Sequence, residues 1–571
     1  MNYVITSLLI LIILGGCSDS NVADKNNPRK ADSPNANGEE TFTNVQDSKV
    51  DEPDFIKVGL EHLYVAKDSD LEVVDREDIS YIGSLKLEYN YQNLQVFTLG
   101  NQIITIGSIN GTSIQVDAFK AAKGALPELQ KSFDFMGQLV DARLVAGTLV
   151  LVLRDKIPFN NSRDEDEFIV FDDNDETSIR GIPCDAIVAS PIDNTHENRL
   201  AKVVLVDILD LDKEPATAGM VGGSEQIYQT EKNLYVISDQ SSFTLLTKLV
   251  IDSEKFTVEP VAIGAVSGHV KDQWALNEIN YNDEDLLGIF TTDGKLGQSN
   301  RVSNNLRILS EDDGMLETVA EITDFGKGED IRSVRYVGDI AYAVTFKKTD
   351  PLFAFDLSNP LKLSLLDELK IPGFSTYMHP VGEGQMIGVG FDATEHGSFA
   401  LFQGIQISLF DVSNPKRLER VDNIVIGERG SSSEVTANHH AFYYDSEMRV
   451  VGIPLIELES QQSSDPRDWN YGSRLAFSGA VLFQIEGNEL REWTRVTHEE
   501  FIPKGCRGSL EQSNWWQDEV RSEDINRLFK VDGRLLSLSR YGIKAHDLED
   551  PDKELASVEF PFKKCSYYGR E

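Results

Sequence analysis

The residues of this chain that could do chemistry are scattered rather than gathered into a catalytic signature. There is no Gly-x-Ser-x-Gly, so the strained turn that exposes a serine nucleophile is not signalled. The stretch RGSSSEV, residues 429–435, sets three serines between Arg429 and Glu434. It reads either as a turn whose hydroxyls cap backbone groups or as a polar lip that binds through Arg429 and Glu434. Nine histidines form no His-Glu-x-x-His pattern. His439 and His440 are adjacent, so on a strand they would face opposite ways and could not share an ion, although either could bind singly. His379 precedes Pro380, which biases it towards extended backbone at a strand edge. The run DDNDE, Asp172 to Glu176, has oxygens for calcium but lacks the glycine and the distal glutamate of a tight calcium loop. Trp515 and Trp516 lie together in a polar stretch that interrupts the last strand pair, as binding anchors or as the packing of a long loop. No residue is assigned a catalytic role.

The elements that would position these side chains are strands. A unit recurs: a polar or glycine turn, an alternating apolar strand, a short break, a second strand ending in Asp, then a Pro or Asn turn. The segment YVGDIAYAVTFKKTDPLFAFDLSNP, from Tyr336, is the clearest copy. Its final Asp-x-Ser-Asn-Pro returns at Asp411 to Pro415. Asp, Ser and Asn hydrogen-bond nearby backbone to shape a turn, and Pro, lacking an N–H, stops the ladder. One hairpin cannot bury both of its faces, whereas copies roughly 40–60 residues apart can stack as the blades of a propeller. The fold predicted is therefore all-β: a single β-propeller of about eight four-stranded blades, within a range of seven to nine. The uncertain unit is Phe97 to Lys120. Ring closure is expected to pair an N-terminal strand with one from SLSRYGIKAHDL near the C-terminus. Long intervals at 155–198 and 458–469 suggest insertions, and DAFKAAKGALPELQKS, residues 117–132, reads as a helical turn.

The totals place the chain in a compartment. At 571 residues, with 40 % hydrophobic and 9 % aromatic residues, it can build a large core. A formal net charge of −40 would repel a polyanion, which excludes nucleic acid as a partner. Residues 1–16 read as a secretory signal with an apolar run from Leu8 to Leu14, although the same run also fits a plain membrane anchor. Leu14-Gly15-Gly16-Cys17 resembles the lipobox of bacterial lipoproteins, which implies acylation of Cys17 and a membrane anchor made of lipid alone. Residues 17–42 form a polar tether, and 43–571 the propeller. Three thiols remain. An exported compartment permits disulfides, and Cys506 with Cys565 is the preferred bridge because both lie in the last segment, leaving Cys184.

The stretch TNVQDSKVDEPDFIK, residues 43–57, resembles the opening of a family of secreted bacterial and archaeal β-propeller proteins distantly related to WD-type repeats. Residues 333–360, 369–393 and 426–445 fit the same family in the same order. The match departs at His439-His440, where an Asp-His-Lys form is more usual. The resemblance implies an exported propeller with no established activity and transfers no catalytic residue. Its VDEPD hallmark makes Asp51, Glu52 and Asp54 the metal candidates, with calcium the ion considered and no other cofactor expected. The tryptophans, few and mostly outside the repeated unit, argue against the exported quinone-dependent propellers. The function expected is a lipid-anchored, non-catalytic binding or scaffold module of the bacterial cell envelope, directed at an envelope protein or a surface polymer. The alternative is a propeller hydrolase or lyase with an acidic, calcium-dependent channel site. Converging carboxylates and histidines in the channel would favour that alternative.

Overall fold

A computed structural model describes residues 44–561 apart from 157–166, 174–177, 184–185, 190–198, 241, 295–301, 347–349, 397–398, 461–472 and 503–524. The described strands form nine antiparallel four-stranded units, spanning 56–86, 92–136, 138–221, 226–267, 276–325, 330–371, 374–426, 443–496 and 525–559, here blades 1 to 9. Nine is the top of the expected range. The reason is that 97–120, which holds the end of one strand, the whole of a second and most of a third, belongs to a complete blade 2.

Strand sequences explain why these units stack. In Thr148–Lys156 of blade 3, Leu149, Leu151 and Leu153 pack with blade 2, while the alternating Val150 and Val152 pack with blade 4. The period of two thus gives each middle strand two apolar faces, one for each neighbour. In blade 9, Leu535 faces blade 8, whereas Leu536 and Leu538 face blade 1. Shared clusters of this kind link every consecutive pair of blades and also blade 9 to blade 1, so the ring is closed.

Closure does not use the expected strand pairing. Blades 1 and 9 keep separate sheets among the described strands. They meet through the apolar cluster, through Arg76, which donates to both oxygens of Asp532 (2.9 and 2.7 Å), and through Arg534, which donates to the carbonyls of Arg76 and Glu77. The cluster removes apolar surface from water, so a shared edge strand is not required for closure.

Residues 117–132 are extended rather than helical. They belong to Ser113–Ala122 and Ala125–Met136, joined at Lys123-Gly124, where Gly124 has φ +65°. Cross-strand pairing and a turn glycine outweigh the helix propensity of the alanines and lysines. The insertion in blade 3 sends Glu167–Asp173 and Ser178–Pro183 to the outer edge of blade 2. The stretch from residue 506 precedes blade 9, whose first strand is Ile525–Val531, so it does not interrupt the last strand pair. The outer strands of blades 4 and 5 also touch, and at Gly264 any Cβ would lie 2.6 Å from that of Leu316.

The repeated Asp-x-Ser-Asn-Pro stretches close equivalent third strands. Asp356 Oδ1 accepts from the backbone N–H of Ser358 at 2.9 Å and from its hydroxyl at 2.6 Å, and Asp411 does the same with Ser413 at the same distances. Asp75, Asp207 and Asp547 end third strands too and accept the N–H two residues on. Replacing Asp356 or Asp411 with Ala is expected to cost about 0.5–1 kcal/mol each, and the double variant close to the sum, because the turns serve different blades. Chemical denaturation of the three variants checks this, and no loss in either single variant would refute the turn-shaping role.

Candidate functional site

The first strands of the blades line the centre of the ring, and residues 44–54 run along them before blade 1 begins. Asn44 donates to the Tyr377 hydroxyl of blade 7 and, at 3.0 Å, to the carbonyl of His439, in the approach to blade 8. Gln46 donates to the carbonyls of Gln273 and Leu276 at the entry to blade 5 (3.0 and 2.9 Å). Lys49 pairs with Glu231 of blade 4. Asp51 exchanges backbone bonds with Leu144 of blade 3, and Asp54 bridges to Val96 of blade 2. Pro53, between them, has no N–H to leave unpaired as the chain passes from one blade to the next.

The three acidic residues of this segment go to different partners. Asp51 accepts from Lys57 at 2.6 Å, and the same ammonium reaches the Glu52 carbonyl at 2.6 Å. Asp54 takes a two-pronged bond from Arg527 of blade 9, at 2.8 and 2.9 Å. Glu52 is only 4 % exposed, and both its oxygens are occupied. Oε1 accepts from Gln273 Nε2 at 2.8 Å and from the Gln46 N–H at 3.4 Å. Oε2 lies 2.9 Å from His439 Nε2 and 3.1 Å from His440 Nε2. Asp51, Glu52 and Asp54 therefore do not converge on one calcium ion: two of them neutralise cations, and Glu52 meets imidazole nitrogens.

The two histidines act together, which corrects the strand-based expectation. Residues 439–441 form a 3-10 turn capped by Asn438, whose side chain accepts from the His440 N–H. With three residues per turn, adjacent side chains diverge by about 120° instead of 180°, so both rings reach one oxygen. Their centroids are 4.1 Å apart, and Trp274 meets His439 edge-on at 5.2 Å.

Burial by itself would raise the Glu52 pKa, but Arg143 and the two histidines hold it well below the usual carboxylate range. Burial likewise works against ionised Asp54, and Arg527 overcomes it. His439 is pushed below its ordinary value by burial, against the opposing pull of Glu52, so it is neutral and donates to the carboxylate.

The other candidates fall in various places. His379 is in the first strand of blade 7, with Nδ1 3.0 Å from the Tyr377 hydroxyl, its ring against Phe442 and its pKa driven well down by burial. Glu434 accepts from Arg527 (2.8 Å), Asn438 (2.9 Å) and Asn526 (3.3 Å), while Arg429 is exposed. Cys17, Cys184, Cys506, Cys565, Trp515 and Trp516 lie outside the described residues, as do 174–176 of the acidic run.

Three buried arginines on first strands were missed. Arg143, Arg335 and Arg527 come from the first strands of blades 3, 6 and 9, every third position of the ring. Arg143 pairs with Asp141 and donates to Gln273, and Arg335 lies over the Trp274 ring at 3.9 Å. Each opens the same short pattern, an arginine before two apolar residues in a strand: Arg143-Leu144-Val145, Arg335-Tyr336-Val337 and Arg527-Leu528-Phe529.

Known proteins resemble this chain at several levels. The sequence profile of the family described as "Beta propeller domain" matches residues 41–551. An uncharacterized protein of Methanocaldococcus jannaschii is 32 % identical over 252 residues, 44 % of this chain and 34 % of that protein. One of Archaeoglobus fulgidus is 36 % identical over 202 residues, 35 % of this chain and 29 % of the relative. The chain thus spans about a third of the length of these curated relatives. Among solved structures, BamB from Moraxella catarrhalis aligns with a TM-score of 0.35 at 9 % identity, covering 80 % of this chain and 96 % of that one.

Two outcomes follow from the channel. Arg527→Met leaves Asp54 buried without its cation and should cost about 3–5 kcal/mol in denaturation; a loss below about 1 kcal/mol would show the pair is not needed. Stability should also fall in two stages on acidification. His379 and His439 have folded pKa values below the ordinary 6.5, so the unfolded chain takes up protons first and stability drops as pH falls through 6.5. Glu52 and Asp54 have depressed pKa values, so their contribution is complete above their ordinary 4.5 and 3.8 and is lost as pH falls through the folded values. Calorimetry across pH measures both stages, and a flat profile between about pH 7 and 5 would contradict the first.

Proposed function

The chain belongs to the beta propeller domain family, and from that premise we propose that it is a lipid-anchored, non-catalytic binding or scaffold module of the bacterial cell envelope. The observation that carries this reading is the fate of the channel groups. Glu52, Asp54, Arg143 and Arg527 are engaged in holding residues 44–58 against the ring, and the Glu52 carboxylate has no free oxygen to offer a substrate. A general acid or base has to reach the proton it transfers, and here the chain itself occupies that position. Recognition then belongs to the rim loops and outer faces of a rigid disc, with an envelope protein or a surface polymer as the partner. The net charge of −40 fits a cationic or neutral partner better than an anionic one. Attachment is through acylated Cys17, as the resemblance of Leu14-Gly15-Gly16-Cys17 to a lipobox implies.

A hydrolase or lyase is the second reading, and one observation favours it: a carboxylate and two histidines from distant parts of the sequence do converge in the channel. A calcium-dependent version fits poorly, because two of the three donors are nitrogen.

Cys17→Ser should move the full-length protein from the detergent phase to the aqueous phase, and unchanged partitioning would overturn the lipid anchor. Affinity capture from envelope extracts, with the tether replaced by a tag, should recover a saturable partner. If the wild-type protein instead turns over glycan or ester substrates and Glu52→Gln abolishes that turnover, the catalytic reading replaces this one.

A further inference from the structure

We propose that Glu52, His439 and His440 together bind one divalent transition ion of the zinc class, joining the N-terminal segment to the approach to blade 8. One oxygen and two nitrogens already lie within 4.8 Å of one another. Glu52 Oε2 is 2.9 Å from one Nε2 and 3.1 Å from the other. A tetrahedral zinc ion holds such donors at about 2.0–2.2 Å, which sets neighbouring donors roughly 3.4 Å apart. Each contact therefore has to open by only a few tenths of an ångström. Two imidazoles and one carboxylate select zinc, cobalt, nickel or copper over calcium and magnesium, which take oxygen.

The surroundings favour the ion in three further ways. The histidine side chains are 19 % and 11 % exposed against 5 % for Glu52, so the histidine side of the cluster reaches solvent and can admit the ion and a water as fourth ligand. His440 Nδ1 lies 3.9 Å from Asp54 Oδ1, outside hydrogen-bond range, so a small shift of the ring would bring a carboxylate to the Nδ1 side of a metal-bound imidazole. Coordination through Nε2 requires each ring to pass its Nε2 proton, by way of water, to Nδ1, with no net release. Charge balance also allows it. The central carboxylates Asp51, Glu52, Asp54, Asp141 and Glu434 outnumber the cations Lys57, Arg143, Arg335 and Arg527 by one. The site differs from a calcium cluster of Asp51, Glu52 and Asp54, since only Glu52 is common to both.

The test uses the full chain without a polyhistidine tag, stripped with a chelator and titrated with zinc and with cobalt(II). One equivalent should bind, zinc should raise the melting temperature more than calcium does, and the cobalt form should give the intense visible bands of a tetrahedral site. His440→Gln and Glu52→Gln should each weaken binding by roughly tenfold or more. Glu52→Gln also disturbs the channel, so His440→Gln is the deciding variant and the wild-type cobalt spectrum stands apart from any folding defect. Absence of stoichiometric binding, an unchanged affinity and spectrum in His440→Gln, or a calcium effect equal to that of zinc would each overturn the proposal.

Discussion

The buried pair between Asp54 and Arg527 is the constraint on which the rest of the ring depends. Both side chains are almost wholly withdrawn from water, and each alone would carry a desolvation penalty of several kcal/mol. Together, with Glu434 accepting a further bond from the same guanidinium, they tie the residues just before blade 1 to the first strand of blade 9. Apolar packing between those blades is generous but not directional. The two-pronged bond supplies direction and permits one register of the N-terminal segment in the channel. Once Asp54 is placed, Asp51 and Glu52 fall against Lys57, Gln273 and the two histidines.

The channel and the outside of the disc follow different electrostatic rules. In the centre, carboxylates and cations are nearly matched and every charge has an identified neighbour. The large negative excess therefore lies elsewhere, and the Asp-capped exits of the third strands, exposed to solvent, carry part of it. There a charge costs little and keeps copies of the disc apart.

How far the fold could be read beforehand depended on the range of the interactions. Hairpin repeats and their Asp-x-Ser-Asn-Pro exits are local, set by period-two apolar patterns and by turn residues within five positions, and they were readable. The number of blades was less so, because Gln92–Leu99 lacks a distinctive turn before it and blade 3 is split by an insertion. Closure and the site were hardest. His439 and His440 looked divergent because a strand was assumed, although Asn438 just before them is the kind of residue that caps a helical turn. Arg143, Arg335 and Arg527 share a pattern with one another, but apart from Asp141, two residues before Arg143, nothing near them in the chain names their partners. Gln273, Trp274, Asp54 and Glu434 come from other parts of the sequence, where residue spacing carries no signal.

The path of residues 44–58 has a bearing on how the molecule is born. Glu52 meets His440 across 388 residues, and Asp54 meets Arg527 across 473. Contacts that distant pay their loop-closure entropy late, so early blades can condense while the leading stretch is still unplaced and hydrated. Its berth is incomplete until the final blade, which carries Arg527, has been synthesised. A ribosome that stops short would therefore release an open arc with its first acidic residues dangling, and only a finished polypeptide can lock itself shut.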